Sequence, residues 1–471
     1  MAYGYWKSGT ANKDAVFHLF YRRNPFRGGY AVAAGLQPVV EALDGFRFSE
    51  QDVEYLRGLT GNDDQPLFEA EFLQELLGLN FSCDIDAIPE GTVVFPHEPL
   101  IRVRGPIIQC QLLETFLLNV VNFQTLIATR AARICEAAGD EPVLEFGLRR
   151  AQGIDGGLSA SRAAYIGGCA ATSNVLAGKL FDIPVKGTHA HSWVMSFDDE
   201  LASFEAYAEA MPNNCVFLVD TYDTIEGVRK AISVGLKLRE RGHEMVGIRL
   251  DSGDLAWLSA EARTLLDDAG FAKASIVASN DLDEYLIETL KHQGAKINVW
   301  GVGTKLATAY DQPALGGVYK LAAVKEPGGD WQPKVKLSEQ AVKVSNPGTQ
   351  QVRRFCNANE FIADVIYDEN IGITDAQRMV DPMDATRQRS LPSDVDYEDL
   401  LQPIFRGGEK VYTPPSIHDV RNRTASQLAL FHSGVRRFVN PHQYPVGLEV
   451  ELHDLKTRLI LEARSKVSPT K

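Results

Sequence analysis

Paired cysteines are missing from this chain. Its six (Cys83, Cys110, Cys135, Cys169, Cys215, Cys356) lie far apart, with no C-x-x-C. That argues against a zinc site and against a secreted disulfide framework. No uninterrupted apolar run approaches the ~20 residues that span a bilayer. The opening residues, M-A-Y-G-Y-W-K-S-G, lack a basic stretch followed by an apolar one, so no signal peptide is read there. A basic excess is absent too: 48 Lys and Arg face 62 Asp and Glu, both signs interspersed, for a formal charge of −14. This is no electrostatic footprint for nucleic acid. Nor is there a G-x-x-x-x-G-K-[ST], so a bound nucleotide would not sit in a P-loop. The expectation is a cytoplasmic protein with no nucleic-acid or membrane partner. An anionic substrate would need a local basic island within this acidic field.

The 471 residues suffice for two to three domains with ample core. Residues 1–110 mix helical patterns with short strand signals at Phe17–Tyr21 and Thr92–Phe95. From Gln111 to Asn122, Leu112, Leu113, Phe116, Leu117, Val120 and Val121 fit one helix face. Residues 111–325 are regular. Apolar, β-branched runs at Val143–Phe146, Ile183–Lys186, Val216–Val219, Val246–Leu250, Ser275–Ala278 and Ile297–Trp300 mostly alternate with helical segments such as Thr224–Arg241 and Leu255–Ala269. Such repeats imply right-handed crossovers and a parallel sheet. The fold class is therefore α/β, with a closed or nearly closed β/α barrel between an N-terminal domain and a C-terminal one. Residues 326–471 turn irregular, with turns at Gly328-Gly329-Asp330, Asn346-Pro347-Gly348 and Gly407-Gly408-Glu409. A last helical pattern covers Pro441–Leu461, and a frayed tail is expected over Ser465–Lys471.

In a parallel β/α barrel the chemistry sits at the carboxyl ends of the strands. Those ends read Phe146, Arg149 and Arg150; then G-T-H-A-H-S-W with His189, His191 and Ser192; then Asp220; Arg249 and Asp251; Asn280; and Gly301, Gly303 and Thr304. Histidines two apart on an extended segment point the same way. They can bind a metal, shuttle a proton or accept a phosphoryl group. Glycine amides with Thr304 suit a phosphate. Asp220 and Asp251 suit Mg²⁺ or ribose hydroxyls. Arg149 and Arg249 suit an anionic substituent, and Phe146 offers a flat face to a ring. The implied ligand is a phosphorylated sugar plus a small, flat, anionic ring.

Plainer readings compete. Asp223 or Asp254 taken alone reads as a helix N-cap. Gly301 and Gly303 alone fit an ordinary turn, and either histidine alone fits a hydrogen-bonded structural role. A metallohydrolase would need further histidines at later strand ends, whereas His243 precedes a strand and His292 ends a helix. No direct side-chain metal motif is present; Mg²⁺ would arrive with the substrate, beside Asp251 or Asp220.

Taken in order, F-G-L-R-R-A-Q-G-x-D-G-G (Phe146–Gly157), G-T-H-A-H-S-W-V-M-S-F (Gly187–Phe197), V-D-T-Y-D-T (Val219–Thr224), G-I-R-L-D-S-G-D-L (Gly247–Leu255), N-V-W-G-V-G-T-K-L (Asn298–Leu306) and N-P-H-x-Y-P-V-G-L (Asn440–Leu448) resemble nicotinate phosphoribosyltransferase over nearly the whole chain. The resemblance implies an irregular barrel of the type II phosphoribosyltransferase class with flanking N- and C-terminal domains. It implies the reaction of nicotinate with 5-phosphoribosyl 1-pyrophosphate to nicotinate mononucleotide and pyrophosphate, coupled to ATP hydrolysis, in NAD salvage. It further implies Mg²⁺, a homodimer completing the site, and transient phosphorylation of the A-H-S histidine, here His191. His189 becomes its supporting neighbour, and His191, Asp251 and Asp220 the catalytic set. Lys320, Lys336, Arg22 and Arg23 are candidate cations for polyphosphate. Family members carry a D-L-Y-Q segment further upstream whose tyrosine packs on the pyridine. This chain begins after that point and Tyr3 and Tyr5 do not occupy the motif position, which leaves one wall of the base pocket in question. The alternatives are a catalytically impaired phosphoribosyl-binding relative, or nicotinamide or quinolinate as acceptor.

Overall fold

The computed structural model describes residues 1–357, 359–373, 378–392 and 394–467. Residues 468–471 of the expected frayed tail lie outside them. The chain forms two compact units, each built from separated stretches: Met1–Thr125, Leu315–Ser416 and Ala425–Lys471 in one, Leu126–Ala314 and Ile417–Thr424 in the other.

The second unit is the α/β part. Its six strands run in the order Ala171–Thr172, Val143–Glu145, Val299–Val302, Ser275–Ala278, Gly247–Leu250 and Val216–Leu218. Every pairing is parallel. The strands are short and buried on both faces: Ile248, Leu250, Ile276, Ala278, Trp300 and Val302 are fully buried, as expected where helices flank a parallel sheet. Aspartates start the helices between them. Asp223, Asp254 and Asp283 each accept the backbone N–H three residues on, from Glu226, Trp257 and Leu286. The N-cap reading of Asp223 and Asp254 therefore holds.

The six-stranded ladder is completed by an irregular segment. The run Ile183–Lys186, expected as a strand, makes one parallel bridge, Val185 with Thr172. Thr172 N–H donates to Pro184 O and Lys186 N–H to Thr172 O. Across the other edge, the Leu218 N–H donates to His189 Nε2 at 3.2 Å. A histidine ring thus stands where a ladder carbonyl would be. The barrel is irregular at this segment, where Pro184 also has no N–H to give a ladder.

Other elements also differ from the sequence reading. The last barrel strand is Val299–Val302, two residues later than expected, so Gly301 lies inside it. Ala171–Thr172 was not foreseen, being only two residues long. The helix expected to end at Asn122 follows a short one, Ile107–Leu112, and runs Glu114–Ala138. Its second half is buried nearly all round, with Ile127, Ala128, Thr129, Arg130, Ala131 and Arg133 each at most 1% exposed. No amphipathic stripe marks it.

The first unit holds a seven-stranded antiparallel sheet ordered Trp331–Pro333, Gly317–Lys325, Asp14–Tyr21, Ile101–Pro106, Asp84–Ala87, Gln402–Arg406 and Glu409–Lys410. A six-stranded mixed sheet lies in the same unit, ordered Gln388–Ser390, Arg378–Val380, Val446–Glu449, Glu360–Asp368, Gln350–Asn357 and Asp396–Asp399. The expected helix Pro441–Leu461 is replaced by the strand Val446–Glu449 and the helix Val450–Val467. Pro441 and Pro445 restrict the backbone ahead of the strand, and the helix starts only after them.

Candidate active site

A cavity of about 980 Å³ opens in the second unit. Phe146, Arg149, His189, His191, Arg249 and Asp251 line it, drawn from two strand ends and the irregular segment. Such a volume is ample for a sugar phosphate with a ring attached.

The two histidines do not point the same way. His189 remains in the extended segment, but Ala190 is an N-cap and His191 starts the helix His191–Met195. The alternation argument fails because the strand period ends at Ala190. His189 is 8% exposed, its ring edge-on to Tyr207 at 4.8 Å. Burial lowers it to about 4, and its Nε2 accepts the Leu218 amide, so the ring is neutral with its proton on Nδ1. His191 is partly exposed. Its Nδ1 lies 3.0 Å from Thr221 Oγ1, and its Nε2 lies 3.9 Å from Asp220 Oδ1 and 3.7 Å from Asp251 Oδ2.

The two carboxylates are held rigidly. Asp220 Oδ2 accepts the Asp251 N–H at 2.8 Å and the Ser252 hydroxyl at 2.7 Å. Its Oδ1 is buried and has no hydrogen-bond partner among the described residues. Asp251 Oδ1 accepts from Arg249 Nη2 at 2.8 Å and from the Ser279 hydroxyl. Burial pushes the Asp251 carboxyl up, but the Ser279 and Arg249 hydrogen bonds outweigh it and hold the group below its ordinary value. Two carboxylate oxygens, Asp220 Oδ1 and Asp251 Oδ2, thus face the same imidazole nitrogen and lack a full complement of partners. A buried anion left this way is costly unless a cation or donor completes it. This donor set fits Mg²⁺, a hard ion that takes one or two carboxylates and keeps the rest of its shell for phosphate and water.

Arg249 is fully engaged. Its Nε donates to Ser279 Oγ at 2.8 Å, Nη1 to Thr188 Oγ1 at 2.9 Å and Nη2 to Asp251. The guanidinium lies 5.8 Å from the Phe146 ring centroid. Phe146 lies across Gly301: a Cβ there would meet the ring carbons at 2.8 Å. Gly303 approaches the Phe146 carbonyl, where a Cβ would sit at 3.2 Å. Both glycines therefore accommodate the Phe146 turn.

Other expected residues lie off the cavity wall. Arg150, Ser192 and Asn280 are exposed, and Thr304 begins the four-residue helix Thr304–Ala307. Asn280 adopts φ +92°, a strained conformation at a strand end. Sequence reasoning gave no role to Thr188 and Thr221, although each adjoins a predicted residue, and it passed over Asn174. Asn174 caps the helix Val175–Phe181, is buried beside Ser161, and lines the cavity. The buried Glu145, accepting from Ser161 and Thr172 hydroxyls, joins the strands beneath. Of the four candidate polyphosphate cations, Arg22 and Arg23 line a cavity of the first unit. Lys320 stands opposite His18 in the seven-stranded sheet, and the Lys336 amide donates to Ser345 Oγ. Tyr3 is held in a local cluster, stacked on Trp6 with its hydroxyl donating to Glu69.

Sequence profiles for the N-terminal domain, the family region and the C-terminal domain of nicotinate phosphoribosyltransferase match residues 1–122, 143–343 and 349–456. A nicotinate phosphoribosyltransferase of Bacillus subtilis is 45% identical over 99% of this chain and 94% of its own. The crystal structure of human nicotinic acid phosphoribosyltransferase superposes with a TM-score of 0.84 at 34% identity, covering 98% of each chain. Nicotinate-nucleotide pyrophosphorylase from Pyrococcus furiosus shares the fold with a TM-score of 0.68 at 22% identity. Three profiles in register, and relatives matched along nearly their whole length, place this chain in the nicotinate phosphoribosyltransferase family.

Proposed function

We propose that the chain forms nicotinate mononucleotide and pyrophosphate from nicotinate and 5-phosphoribosyl 1-pyrophosphate, with ATP hydrolysis coupled through His191, as a step of NAD salvage. The observation that carries the reading is His191 Nε2 facing Asp220 and Asp251 in the barrel cavity of a chain of this family.

The nicotinate nitrogen attacks the ribose anomeric carbon as the bond to pyrophosphate breaks, and pyrophosphate leaves with the electron pair. The carbon passes through an oxocarbenium-like state, as in glycoside hydrolysis. A strong base is not needed; a held nucleophile and a stabilised leaving group are. Phe146 presents a flat face for the pyridine ring. Arg149, on the cavity wall and exposed, is the cation available for the ring carboxylate or the 5′-phosphate, because Arg249 is already engaged with Asp251, Ser279 and Thr188. Asp220 and Asp251 would hold Mg²⁺, which neutralises phosphate charge. Arg249 and Ser279 keep Asp251 ionised for that purpose.

For the ATP-coupled step, the tautomer of His191 with its proton on Nδ1, 3.0 Å from Thr221 Oγ1, would keep the Nε2 lone pair free. Nε2 bonds to the γ-phosphorus as the bond to ADP breaks. Water later cleaves the phosphoimidazole and releases phosphate. His189, neutral and tied to the Leu218 amide, fixes the segment that delivers His191.

A second copy of the chain completes the assembly in this reading. Ile154, Val175 and Leu176 at the cavity wall are exposed apolar side chains of the kind a subunit interface covers. The cytoplasm, where the phosphorylated substrates are found, is the proposed location. The test supplies purified protein with Mg²⁺, nicotinate and the sugar pyrophosphate, with and without ATP. ATP-stimulated nicotinate mononucleotide is expected, with nicotinamide and quinolinate failing to compete. No product under any of these conditions would contradict the reading.

A further inference from the structure

Behind the wall of the barrel cavity lies a carboxylate that the reaction above does not use. Glu145 ends the strand Val143–Glu145 and is 1% exposed, yet it has no ion pair among the described residues. A buried anion of this kind is costly unless donors surround it. Oε1 accepts the Gly147 N–H, and Oε2 accepts the Ser161 hydroxyl at 2.9 Å and the Thr172 hydroxyl at 2.6 Å. The Thr172 oxygen itself accepts the Asn174 N–H at 3.0 Å, which leaves its proton for Glu145. The Ser161 hydroxyl lies equally close to the Gly157 carbonyl, also at 2.9 Å, but a carboxylate is the stronger acceptor.

Each donor belongs to a different part of the cavity wall. Gly147 sits between Phe146 and the single helical turn Leu148–Arg150, and its carbonyl accepts the Arg150 N–H at 2.8 Å. The Phe146 N–H donates to Val302 O at 2.8 Å, so the turn is pinned at its start as well. No side chain fits at Gly147: a Cβ would meet Ala307 Cβ at 2.3 Å and Gly303 O at 2.9 Å. The same Cβ would lie 2.9 Å from Glu145 Oε1, so the turn is pressed between the carboxylate and the helix Thr304–Ala307.

Thr172 and Ser161 carry the other part. Asn174 Nδ2 donates to Ser161 Oγ at 3.2 Å, and Asn174 Oδ1 accepts the Ala177 N–H to cap the helix Val175–Phe181. Phe146, Arg149 and Asn174 all line the cavity. One carboxylate thus joins the turn that bears Phe146 and Arg149 to the segment that bears Asn174.

We propose that Glu145 is a positioning residue for nicotinate: its carboxylate, held by Gly147, Ser161 and Thr172, fixes the Phe146 turn against the Asn174 segment and so sets the slot that the pyridine ring enters. The inference rests on the reading that the ring lies on Phe146. A neutral acceptor would bind the same three donors less firmly, because hydrogen bonds to an ionised group are roughly twice as strong as neutral ones. Glutamine would also aim its NH₂ at either the Gly147 N–H or the two hydroxyls, where donor meets donor.

The test is steady-state kinetics of full-length Glu145→Gln and Thr172→Val, with nicotinate and ATP varied in turn, beside hydrogen exchange of residues 146–151. Glu145→Gln should raise the KM for nicotinate roughly tenfold, as for one lost bond to a charged group, with kcat and the KM for ATP within about twofold. The amides of residues 146–151 should exchange faster even without ligand. Thr172→Val, which removes one donor only, should move both readouts the same way by less, and it stands in if Glu145→Gln fails to fold. An unchanged KM for nicotinate would overturn the proposal. So would a fall in kcat and a rise in both KM values together, which is the mark of a merely structural role. Phe146→Leu separates the two readings. A raised KM for nicotinate in Phe146→Leu beside an unchanged one in Glu145→Gln would contradict this inference alone. An unchanged KM in Phe146→Leu would remove the ring site, and this inference with it.

Discussion

The two cavities use arginine in opposite ways. In the barrel, Arg249 has its Nε, Nη1 and Nη2 on Ser279, Thr188 and Asp251, so its charge orients and ionises a carboxylate. In the other unit, Arg22, Arg23, Arg27 and Arg389 have no ion pair among the described residues, and their charge is available to a ligand. The first pattern is that of preorganised chemistry, in which each group is fixed before the substrate arrives. The second leaves guanidinium charge without a counter-charge among the described residues, a costly arrangement unless an anion joins it. Net charge alone reveals neither, because both sit within a chain of −14.

Substitutions can break this contrast, and the largest effect belongs to the barrel. Arg249→Gln leaves Asp251 without its cation and Thr188 without its donor. Turnover should fall by roughly 10²–10³-fold, as for loss of one preorganised electrostatic group, and steady-state kinetics read it directly. An unchanged kcat would remove the distinction between the two arginine sets. Phe146→Leu comes next. Losing a ring contact worth about 0.5–1.5 kcal/mol should raise the KM for nicotinate roughly 2- to 12-fold with little change in kcat.

His189 gives a pH-dependent prediction. Its folded value, about 4, lies below the ordinary 6.5, so the folded state resists protonation. The stability it contributes is present above about pH 6.5 and is lost as pH falls from there towards 4, because only the unfolded chain takes the proton. His189→Gln, which keeps an acceptor for the Leu218 amide, should flatten acid denaturation in that window. A wild-type slope in the variant would count against a neutral, ladder-completing ring.

Two smaller effects sharpen the picture. Asp254→Ala removes an N-cap and should cost about 1 kcal/mol in chemical denaturation while leaving kcat/KM intact. Arg389→Gln, at an exposed and unpaired position, should change stability by no more than about 0.5 kcal/mol.

Much of this was legible in the sequence. Helices Thr224–Glu240 and Leu255–Asp268 begin where the aspartates predict, and five of the six barrel strands fall on the expected apolar runs, one shifted by two residues. The carboxylates Asp220 and Asp251 converge on His191 as their strand-end positions imply. What could not be read depends on contacts distant in sequence. The His189 ring replaces a carbonyl of the ladder across 29 residues, and no periodicity encodes that. The buried second half of the helix Glu114–Ala138 has no amphipathic stripe to announce it. The basic cavity gathers arginines from residues 22 to 389, and only Arg22 and Arg23 stood out beforehand, as candidate cations for polyphosphate.

The central claim is that His191, held by Thr221 and facing Asp220 and Asp251, carries the phosphoryl group that couples ATP to nucleotide formation. Incubation with γ-labelled ATP and Mg²⁺, followed by quenching at alkaline pH where phosphohistidine survives, tests it most directly. The account predicts acid-labile label on the peptide containing His191 in the wild-type protein, none in His191→Ala, and product formation by that variant that ATP no longer stimulates. ATP stimulation that persists in His191→Ala, or label on another residue, would contradict it.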